Sequence, residues 1–326
     1  MSSPQSSAGG ELLRREWVKS KSDEYKLNPA KCNTTYTFRV FQWNMLADAM
    51  AHGNFVKCPA EVLKWSYRSQ LILNEICRSE ADIICLEEVD HFLDFFEPHL
   101  SRLGFEGLFV PKNDSPCLQY QPNNGPDGCA LFFRSSMFAL LEKKEFRLKN
   151  ETQGISNQVA LLARLKIEDA NKAKDSPFYT LCVGVTHLKA KRDYQALRAA
   201  QGEHLLSEMA SFASDEHAII CGDFNATPDE PVYQHFTNNK THQLLNLSSA
   251  YAASFNGEKE PPLTSWKFRA YGESEYTIDY IWILKDKMVI DSIWRLPTKE
   301  EIGENALPSP SYPSDHLALC SSITLF

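Results

Sequence analysis

The chain has 326 residues, of which 43% are hydrophobic and 23% are charged, and its formal net charge is −8. This length allows one large core or two ordinary ones, and no apolar run approaches the roughly 20 residues that a bilayer-spanning helix needs. The negative charge disfavours a protein that tracks a long polyanion, because such binding is driven by a basic surface. Any anion bound by this chain is therefore expected to be short, or held by a local group of cations.

Residues 1–30 are expected to form a flexible or loosely attached leader, followed by a single catalytic domain over residues 31–326. The start, MSSPQSSAGG, is small and polar and lacks the apolar segment of a secretory signal. The stretch ELLRREW could form a short helix. Arg14 and Arg15 could belong to a shortened mitochondrial transit peptide, although Glu11 and Glu16 beside them are atypical of one. We expect a cytoplasmic protein, with a longer isoform that could also enter mitochondria.

The nine cysteines predict free thiols. Their number is odd and no two of them have the C-x-x-C spacing of a zinc or redox site. Several lie within apolar runs, as buried thiols do; these are Cys85, Cys129, Cys182, Cys221 and Cys320. The pattern indicates a reducing compartment.

The predicted elements are mostly strands. Runs rich in β-branched and aromatic residues, bounded by turn residues, predict strands over 37–43, 83–86, 129–133, 159–165, 179–185, 218–221, 280–284 and 317–319. Apolar residues at a helical period predict helices over 61–80 and 191–213, with a shorter helix over 92–103 that is interrupted by Pro98. No strict alternation of strand and helix persists after residue 120. The expected fold is therefore an α/β two-sheet β-sandwich flanked by helices.

Six of the apolar runs end at, or contain, polar side chains. Taken singly, each is more readily explained as a turn residue or a satisfied core group. Asp279 is harder to explain in this way, since an acid between apolar residues needs a partner if it is buried. The six sites together predict a cleft at one edge of the sheets; they are Asn44, Glu87 to His91, Thr186 with His187, Asp223 with Asn225, Asp279, and Asp315 with His316.

These side chains suit metal-assisted hydrolysis. The oxygen atoms around Glu88 and Asp223 are hard ligands of the kind that Mg²⁺ or Mn²⁺ prefers. His187 and His316 can exchange protons near neutral pH, and Asp279 or Asp315 could orient one of the two imidazoles. The chain has no G-x-S-x-G, P-loop or G-x-G-x-x-G motif. Phosphoryl chemistry with water as the nucleophile is the best interpretation.

The motifs WN, LEEVD, THLKA, GDFN, TIDYI and SDH, in this order, resemble those of the endonuclease/exonuclease/phosphatase superfamily. The resemblance runs from about Phe38 to the C-terminus, and it implies a two-sheet β-sandwich flanked by helices. It also implies that Glu88 is the principal Mg²⁺ ligand, that Asn44 lies beside it near the substrate, and that Asp315 lies near the metal. Mn²⁺ is an alternative metal.

The same resemblance implies roles for the remaining polar side chains at the strand ends. Asp223 and Asn225 would position and activate the attacking water. His187 would hydrogen-bond the phosphoryl oxygens. Asp279 and His316 would form an acid–imidazole pair at the reacting phosphate.

Four cations are implied to hold the rest of the substrate. Segments such as FQWNMLA and LPSPSYPSDHLAL resemble a branch of the superfamily that was long grouped with the deadenylases and later understood to remove the 2′-phosphate of NADP⁺ and NADPH. The matching cations are Lys112, Lys189, Lys191 and Arg269. Lys191 stands where that pattern has an arginine, and it lacks the bidentate fork of a guanidinium, which the adjacent Arg192 could supply.

The leading hypothesis is a monomeric, Mg²⁺-dependent phosphatase that converts NADP(H) to NAD(H). The alternative is a 3′-exoribonuclease that shortens poly(A), since the same metal site can attack a phosphodiester; weak RNA binding is compatible with either. A catalytically silent adaptor is a third reading, but it is disfavoured because every expected catalytic residue is present.

Overall fold

Two packed sheets make up the framework of the protein. A computed structural model describes residues 11–21, 35–152, 154–168, 179–238, 245–254 and 259–326. The first sheet has seven strands in the order β1-β14-β15-β2-β3-β5-β4. Its strands are β1 (Trp17–Lys19), β2 (Tyr36–Asn44), β3 (Ile83–Val89), β4 (Phe105–Pro111), β5 (Gly128–Arg134), β14 (Met288–Trp294) and β15 (Leu319–Leu325).

The second sheet has six strands in the order β10-β13-β9-β8-β7-β6, and a separate hairpin completes the described strands. The strands of this sheet are β6 (Phe138–Lys149), β7 (Ile155–Ile167), β8 (Thr180–His187), β9 (His217–Asp223), β10 (Leu247–Ser249) and β13 (Asp279–Leu284). The hairpin pairs β11 (Ser265–Arg269) with β12 (Gly272–Tyr276).

The core lies between the two sheets. Val40 and Cys85 of the first sheet and Val183 and Ile219 of the second belong to one buried apolar cluster. The intervening residues of these strands are buried as well, beneath the outer helices, so the strands read as nearly continuous apolar runs. This explains why the central strands are recognisable in the sequence. The two-sheet sandwich flanked by helices is confirmed.

The flanking helices cover the outer face of each sheet. They are α1 (Asp48–Ala51), α2 (Ala60–Leu63), α3 (Trp65–Ser79), α4 (Glu97–Arg102), α5 (Gln195–Ala213), α6 (Pro231–Thr237), α7 (Ala250–Ser254) and α8 (Lys299–Ile302). Ile72 and Ile76 of α3 pack on the first sheet, and Leu205 and Met209 of α5 pack on the second. None of the helices in the described ranges is long and apolar enough to cross a membrane.

The predicted helices are largely confirmed, with breaks that the periodicity did not show. The predicted 61–80 helix divides at Lys64 into α2 and α3, and the first residues of the predicted 191–213 helix form a 3₁₀ turn, Arg192–Tyr194, before α5. The predicted 92–103 helix is confirmed as a π-helical turn, Phe92–Phe96, that continues directly into α4. Pro98 lies in the first turn of α4, just after the change from π to α geometry.

Residues 11–21 correct the expectation of a loosely attached leader. Trp17–Lys19 pairs with β14 at the edge of the first sheet, and ELLRREW forms no helix. The Arg15 side chain is buried and its Nη1 lies 3.0 Å from Glu75 Oε1. An ordered strand and a buried ion pair attach this segment firmly. The other parts of the predicted leader, residues 1–10 and 22–30, lie outside the described residues.

The cysteines of the described ranges are free thiols, as the sequence predicts. The five expected to be buried are buried. The predicted strand over 317–319 is misplaced, since the final strand runs over Leu319–Leu325.

Candidate active site

Strand ends from both sheets bring the predicted polar residues together. In the first sheet β2 and β3 are parallel, so their carboxyl ends, with Asn44 and Glu87, lie side by side. In the second sheet β8 and β9 are parallel and end side by side at His187 and Asp223. Asp279 opens β13 directly opposite Asp223. The glycine of GDFN is needed for this packing, because a Cβ at that position would overlap the carbonyl oxygen of Thr186.

Glu88, Asn44 and Asp223 form a hydrogen-bonded chain across the two sheets. Asn44 Nδ2 donates to Glu88 Oε1 at 3.1 Å and to Asp223 Oδ2 at 3.0 Å. The other oxygen of Glu88 accepts the Ala47 N–H at 3.1 Å. Glu88 and Asn225 have φ values of 56° and 49°, in the left-handed region. Asparagine adopts this region readily, whereas a glutamate pays roughly 1–2 kcal/mol, so the backbone at Glu88 is strained.

His316 lies between two carboxylates. Its Nδ1 is 3.1 and 3.0 Å from the two oxygens of Asp279, and its Nε2 is 3.8 Å from Asp223 Oδ2. Burial lowers the pKa of His316, but Asp279 and Asp223 more than offset this and raise it to about 9. Burial and the Asp279 charge raise the pKa of Asp223 to about 7. His316 is therefore an imidazolium at neutral pH, and Asp279 orients it, with Thr264 Oγ1 donating to Asp279 Oδ2 at 2.6 Å.

His187 is held as a neutral imidazole. Asn225 Nδ2 lies 2.9 Å from His187 Nε2, and Lys112 Nζ lies 3.4 Å from His187 Nδ1. Burial, followed by the charge of Lys112, holds the pKa of His187 well below its usual range. Backbone N–H of Asn225 donates to Asp223 Oδ1 at 2.8 Å, so the last two polar residues of GDFN fix each other. The site thus holds one charged and one uncharged imidazole.

Asp315 is paired with two cations of the hairpin. Lys267 Nζ lies 2.5 Å and Arg269 Nη2 lies 3.4 Å from Asp315 Oδ2. Burial raises the pKa of Asp315, but the two cations and His316 outweigh burial and hold it below its usual range. Asp315 is therefore ionised at neutral pH.

The donor set fits a hard divalent cation. Glu88, Asp223 and Asp315 all line one cavity with carboxylate oxygens, which suit Mg²⁺ or Mn²⁺ rather than a softer metal. Asp223, Asp279 and His316 also come within 4.8 Å of one another. This second cluster suits a metal less well, because His316 is charged and both oxygens of Asp279 are already engaged. The oxygens around Glu88 therefore remain the predicted metal site.

The cavity at this edge has a volume of about 820 Å³. Lys191, Arg192, Lys267 and Arg269 contribute cationic side chains to its lining. Two of the four predicted substrate cations, Lys191 and Arg269, therefore line this cavity.

The other two predicted cations are not part of the lining. Lys112 is buried behind His187, and its Nζ lies 2.6 Å from Asp127 Oδ2. Lys189 Nζ lies 5.0 Å from the centre of the Tyr194 ring. In this structure Lys112 makes an ion pair and Lys189 a cation–π contact.

Residues 41–316 match the Endonuclease/Exonuclease/phosphatase family. The chain belongs to this family. It is 47% identical to human "Nocturnin" over 313 residues, covering 94% of this chain and 68% of that protein, and 45% identical to "Nocturnin" of Xenopus laevis, covering 94% and 76%. The solved human Nocturnin catalytic domain with bound sulfate superposes with a TM-score of 0.76 at 38% identity, covering 96% of this chain and 97% of that one.

A more distant relative carries a nuclease name. The chain is 26% identical to the "CCR4-Not complex 3′-5′-exoribonuclease subunit Ccr4" of Candida albicans, covering 93% of this chain and 43% of that protein. As a member of this hydrolase family, the chain is similar both to nocturnins and to deadenylase-like enzymes.

The sequence interpretation missed some cavity residues. Lys267 was not predicted as a site residue, although its two-residue spacing from Arg269 places both on the same face of β11. The alternation of side chains along a strand could therefore have placed Lys267 beside Arg269. Arg198 and Glu230 also line the cavity, but they gave no signal, because a lone arginine on a helix is ordinarily solvated.

Proposed function

We propose that this chain is a divalent-metal-dependent phosphatase that removes the 2′-phosphate of NADP⁺ and NADPH, giving NAD⁺ and NADH. The observation that carries the proposal is the cavity, which combines the oxygen and imidazole groups of phosphoryl chemistry with five cationic side chains, one of them the buried Arg198. Its volume of about 820 Å³ is within the usual range for small-molecule sites. A few local cations on a chain of net charge −8 suit a substrate with few phosphates better than a long polyanion.

Glu88 and Asn44 would hold Mg²⁺, with Asp315 close by. When bound, the metal would act as a Lewis acid on the phosphoryl group. The hydrogen bonds from Ala47 and Asn44 fix the Glu88 carboxylate in advance. Asn44 Oδ1 accepts the Leu46 N–H, so coordination through Asn44 would require its amide group to rotate. Mn²⁺ would satisfy the same oxygens.

The remaining residues divide the chemistry between them. Asp223 would accept a proton from the attacking water, while Asn225 would hold that water and His187 in place. His316, charged and held by Asp279, would donate an N–H to the oxygens of the transferring phosphoryl group, where negative charge accumulates. The hydrolysis releases inorganic phosphate and leaves a hydroxyl on the ribose.

Substitution Glu88→Ala tests the metal assignment. Phosphate release from NADP⁺ in the presence of Mg²⁺ should fall at least about 10²-fold, because the metal loses its principal ligand. The exposed Glu61→Ala serves as the matched control and should retain full turnover. Binding of Mn²⁺, followed by paramagnetic relaxation of water protons, should weaken in parallel. Undiminished turnover in Glu88→Ala would overturn the assignment.

A 3′-exoribonuclease remains the second candidate, because three tyrosines line the cavity with exposed rings that could stack on bases. Tyr120, Tyr271 and Tyr276 are 41%, 81% and 44% exposed. The Candida relative whose name specifies a 3′-5′-exoribonuclease points the same way. Salt-sensitive binding of oligo(A) in the micromolar range would favour this reading.

A further inference from the structure

Arg198, at the start of α5, is fully buried although it borders the cavity. Its guanidinium forms a bidentate pair with Glu230, the N-cap residue of α6: Nε lies 2.9 Å from Oε2 and Nη2 lies 2.9 Å from Oε1. Burying a charge without a partner is costly, and the fork of an arginine matches a carboxylate geometrically. The pair is thus nearly neutral as a unit, and adds little net charge to the cavity.

The remaining donors of Arg198 bind successive parts of one backbone segment. Nη1 donates to the carbonyl oxygens of Lys189 at 3.0 Å and Lys191 at 2.7 Å, and Nη2 lies 3.5 Å from that of Arg192. Gln201 Oε1, three residues along the same helix, accepts the Lys189 N–H at 3.0 Å. Residues 189–192, here called the basic loop, are therefore fixed by one face of α5.

These contacts determine what the basic loop presents to the cavity. Three carbonyl oxygens, which would repel an anion, are engaged by Arg198. Lys191 has a φ of 81°, an unfavourable value for a lysine that must be maintained by its surroundings. The side chains of Lys191 and Arg192 line the cavity, while their backbone is held from behind. Glu230 joins this arrangement to the segment that carries Asn225.

We propose that Arg198 and Glu230 are a positioning pair, which presets the basic loop to bind the diphosphate of a dinucleotide substrate. The inference rests on the proposed function. Neither residue needs to touch the reacting phosphate, which belongs with Glu88 and His316. Loosening the pair should therefore weaken binding of substrates that carry a diphosphate and leave the chemical step intact.

The kinetic test compares NADP⁺ with p-nitrophenyl phosphate, which has no diphosphate. In Arg198→Lys and Glu230→Gln the KM for NADP⁺ should rise about tenfold, with kcat nearly unchanged, because the fork is lost. The parameters for p-nitrophenyl phosphate should stay at the wild-type values. Arg164→Lys is the matched control, since Arg164 pairs with Glu142 away from the cavity. An equal loss on both substrates, or no change on either, would overturn the inference.

Two readouts do not depend on turnover. Trypsin should cleave the basic loop about tenfold faster in Arg198→Lys and Glu230→Gln than in the wild type, because a loop released from α5 can enter the active site of the protease. Cleavage would follow Lys189, Lys191 or Arg192, and Arg164→Lys should be cleaved at the wild-type rate. The affinity for inorganic pyrophosphate, measured by calorimetry without metal, should fall about tenfold in Arg198→Lys and in Lys191→Ala. The variant that combines these two substitutions should lose little more, because both act on the same loop.

These readouts separate the two proposals. A wild type that releases no phosphate from NADP⁺ refutes the proposed function alone. The positioning of the basic loop is then tested by the rate of trypsin cleavage and by the affinity for pyrophosphate. Wild-type protease resistance together with wild-type pyrophosphate affinity in both variants would refute the positioning pair. Glu230→Gln keeps the volume of the side chain, so it carries the test if Arg198→Lys fails to fold.

Discussion

Asp279 has both of its carboxylate oxygens in use, on His316 and Thr264. Asp279→Asn keeps the shape but removes the charge that stabilises the His316 imidazolium. We expect kcat for phosphate release to fall about 10²-fold or more, with a smaller effect on KM. Asp291→Asn, an exposed position on β14, is the matched control and should retain activity. Steady-state kinetics on both variants give the comparison, and thermal melts confirm that both fold. A wild-type kcat in Asp279→Asn would contradict the role of Asp279 in stabilising the His316 imidazolium.

Glu260 is a second acid in an unfavourable environment, outside the catalytic cluster. Burial raises its pKa to about 7, although Ser249 and Tyr233 donate hydrogen bonds to it. The folded state therefore binds a proton more tightly than the unfolded chain, where the pKa is near 4.5. Folding stability from this group is complete below pH 4.5 and declines as pH rises toward 7.

Glu260→Gln tests this linkage. Between pH 4.5 and 7.5 the wild type should lose up to about 2 kcal/mol of unfolding free energy relative to the glutamine variant. Urea unfolding at the two pH values gives the difference. Parallel stability curves for the two proteins would show that Glu260 titrates normally.

At the scale of elements, the N-terminal segment stabilises the first sheet through Arg15. Its guanidinium donates to the Ala318 carbonyl oxygen at 2.6 Å and to Glu75 Oε1 at 3.0 Å, and it stacks over Trp294. Removing one partner of a buried pair leaves the other inadequately compensated. Strand β1 would then lose its main side-chain anchor.

Arg15→Met should lower the free energy of unfolding by about 2–3 kcal/mol, because Glu75 would keep only Arg78 as its cationic partner. Arg14→Met is the matched control, since Arg14 is 84% exposed in its surface ion pair and should change stability little. Chemical denaturation of both variants gives the comparison. Equal stabilities of the two variants would mean that the segment contributes nothing through this residue.

Over the whole molecule, most of the central strands were predictable because they are buried on both faces. Strand β14, which lies inside the first sheet, was missed because Asp291 and Ser292 interrupt its apolar run. Strands β4 and β6 were missed as well. Both are edge strands, and the sequence of β6, FALLEKKEFRLK, carries the charges that protect an exposed edge. Such strands lack the apolar run on which prediction depends.

The meeting of the polar residues at the strand ends was predictable for a related reason, since these residues follow buried strands or lie within them. The ion pair of Lys112 with Asp127 was not predictable, because it is formed only by tertiary structure. The ion pair of Lys267 with Asp315, 48 residues away in the sequence, is likewise formed only by the fold. The role of a cation depends on what the fold places beside it, and sequence spacing does not report that.

Parallel rates on two substrates distinguish a dinucleotide phosphatase from an exoribonuclease. Release of phosphate from NADP⁺ and of AMP from oligo(A) would be measured on the same preparation, each with Mg²⁺ and with EDTA. The predicted result is Mg²⁺-dependent phosphate release from NADP⁺ with oligo(A) left intact. Shortened oligo(A) beside unchanged NADP⁺ would contradict the dinucleotide phosphatase and make the chain an exoribonuclease of the same family.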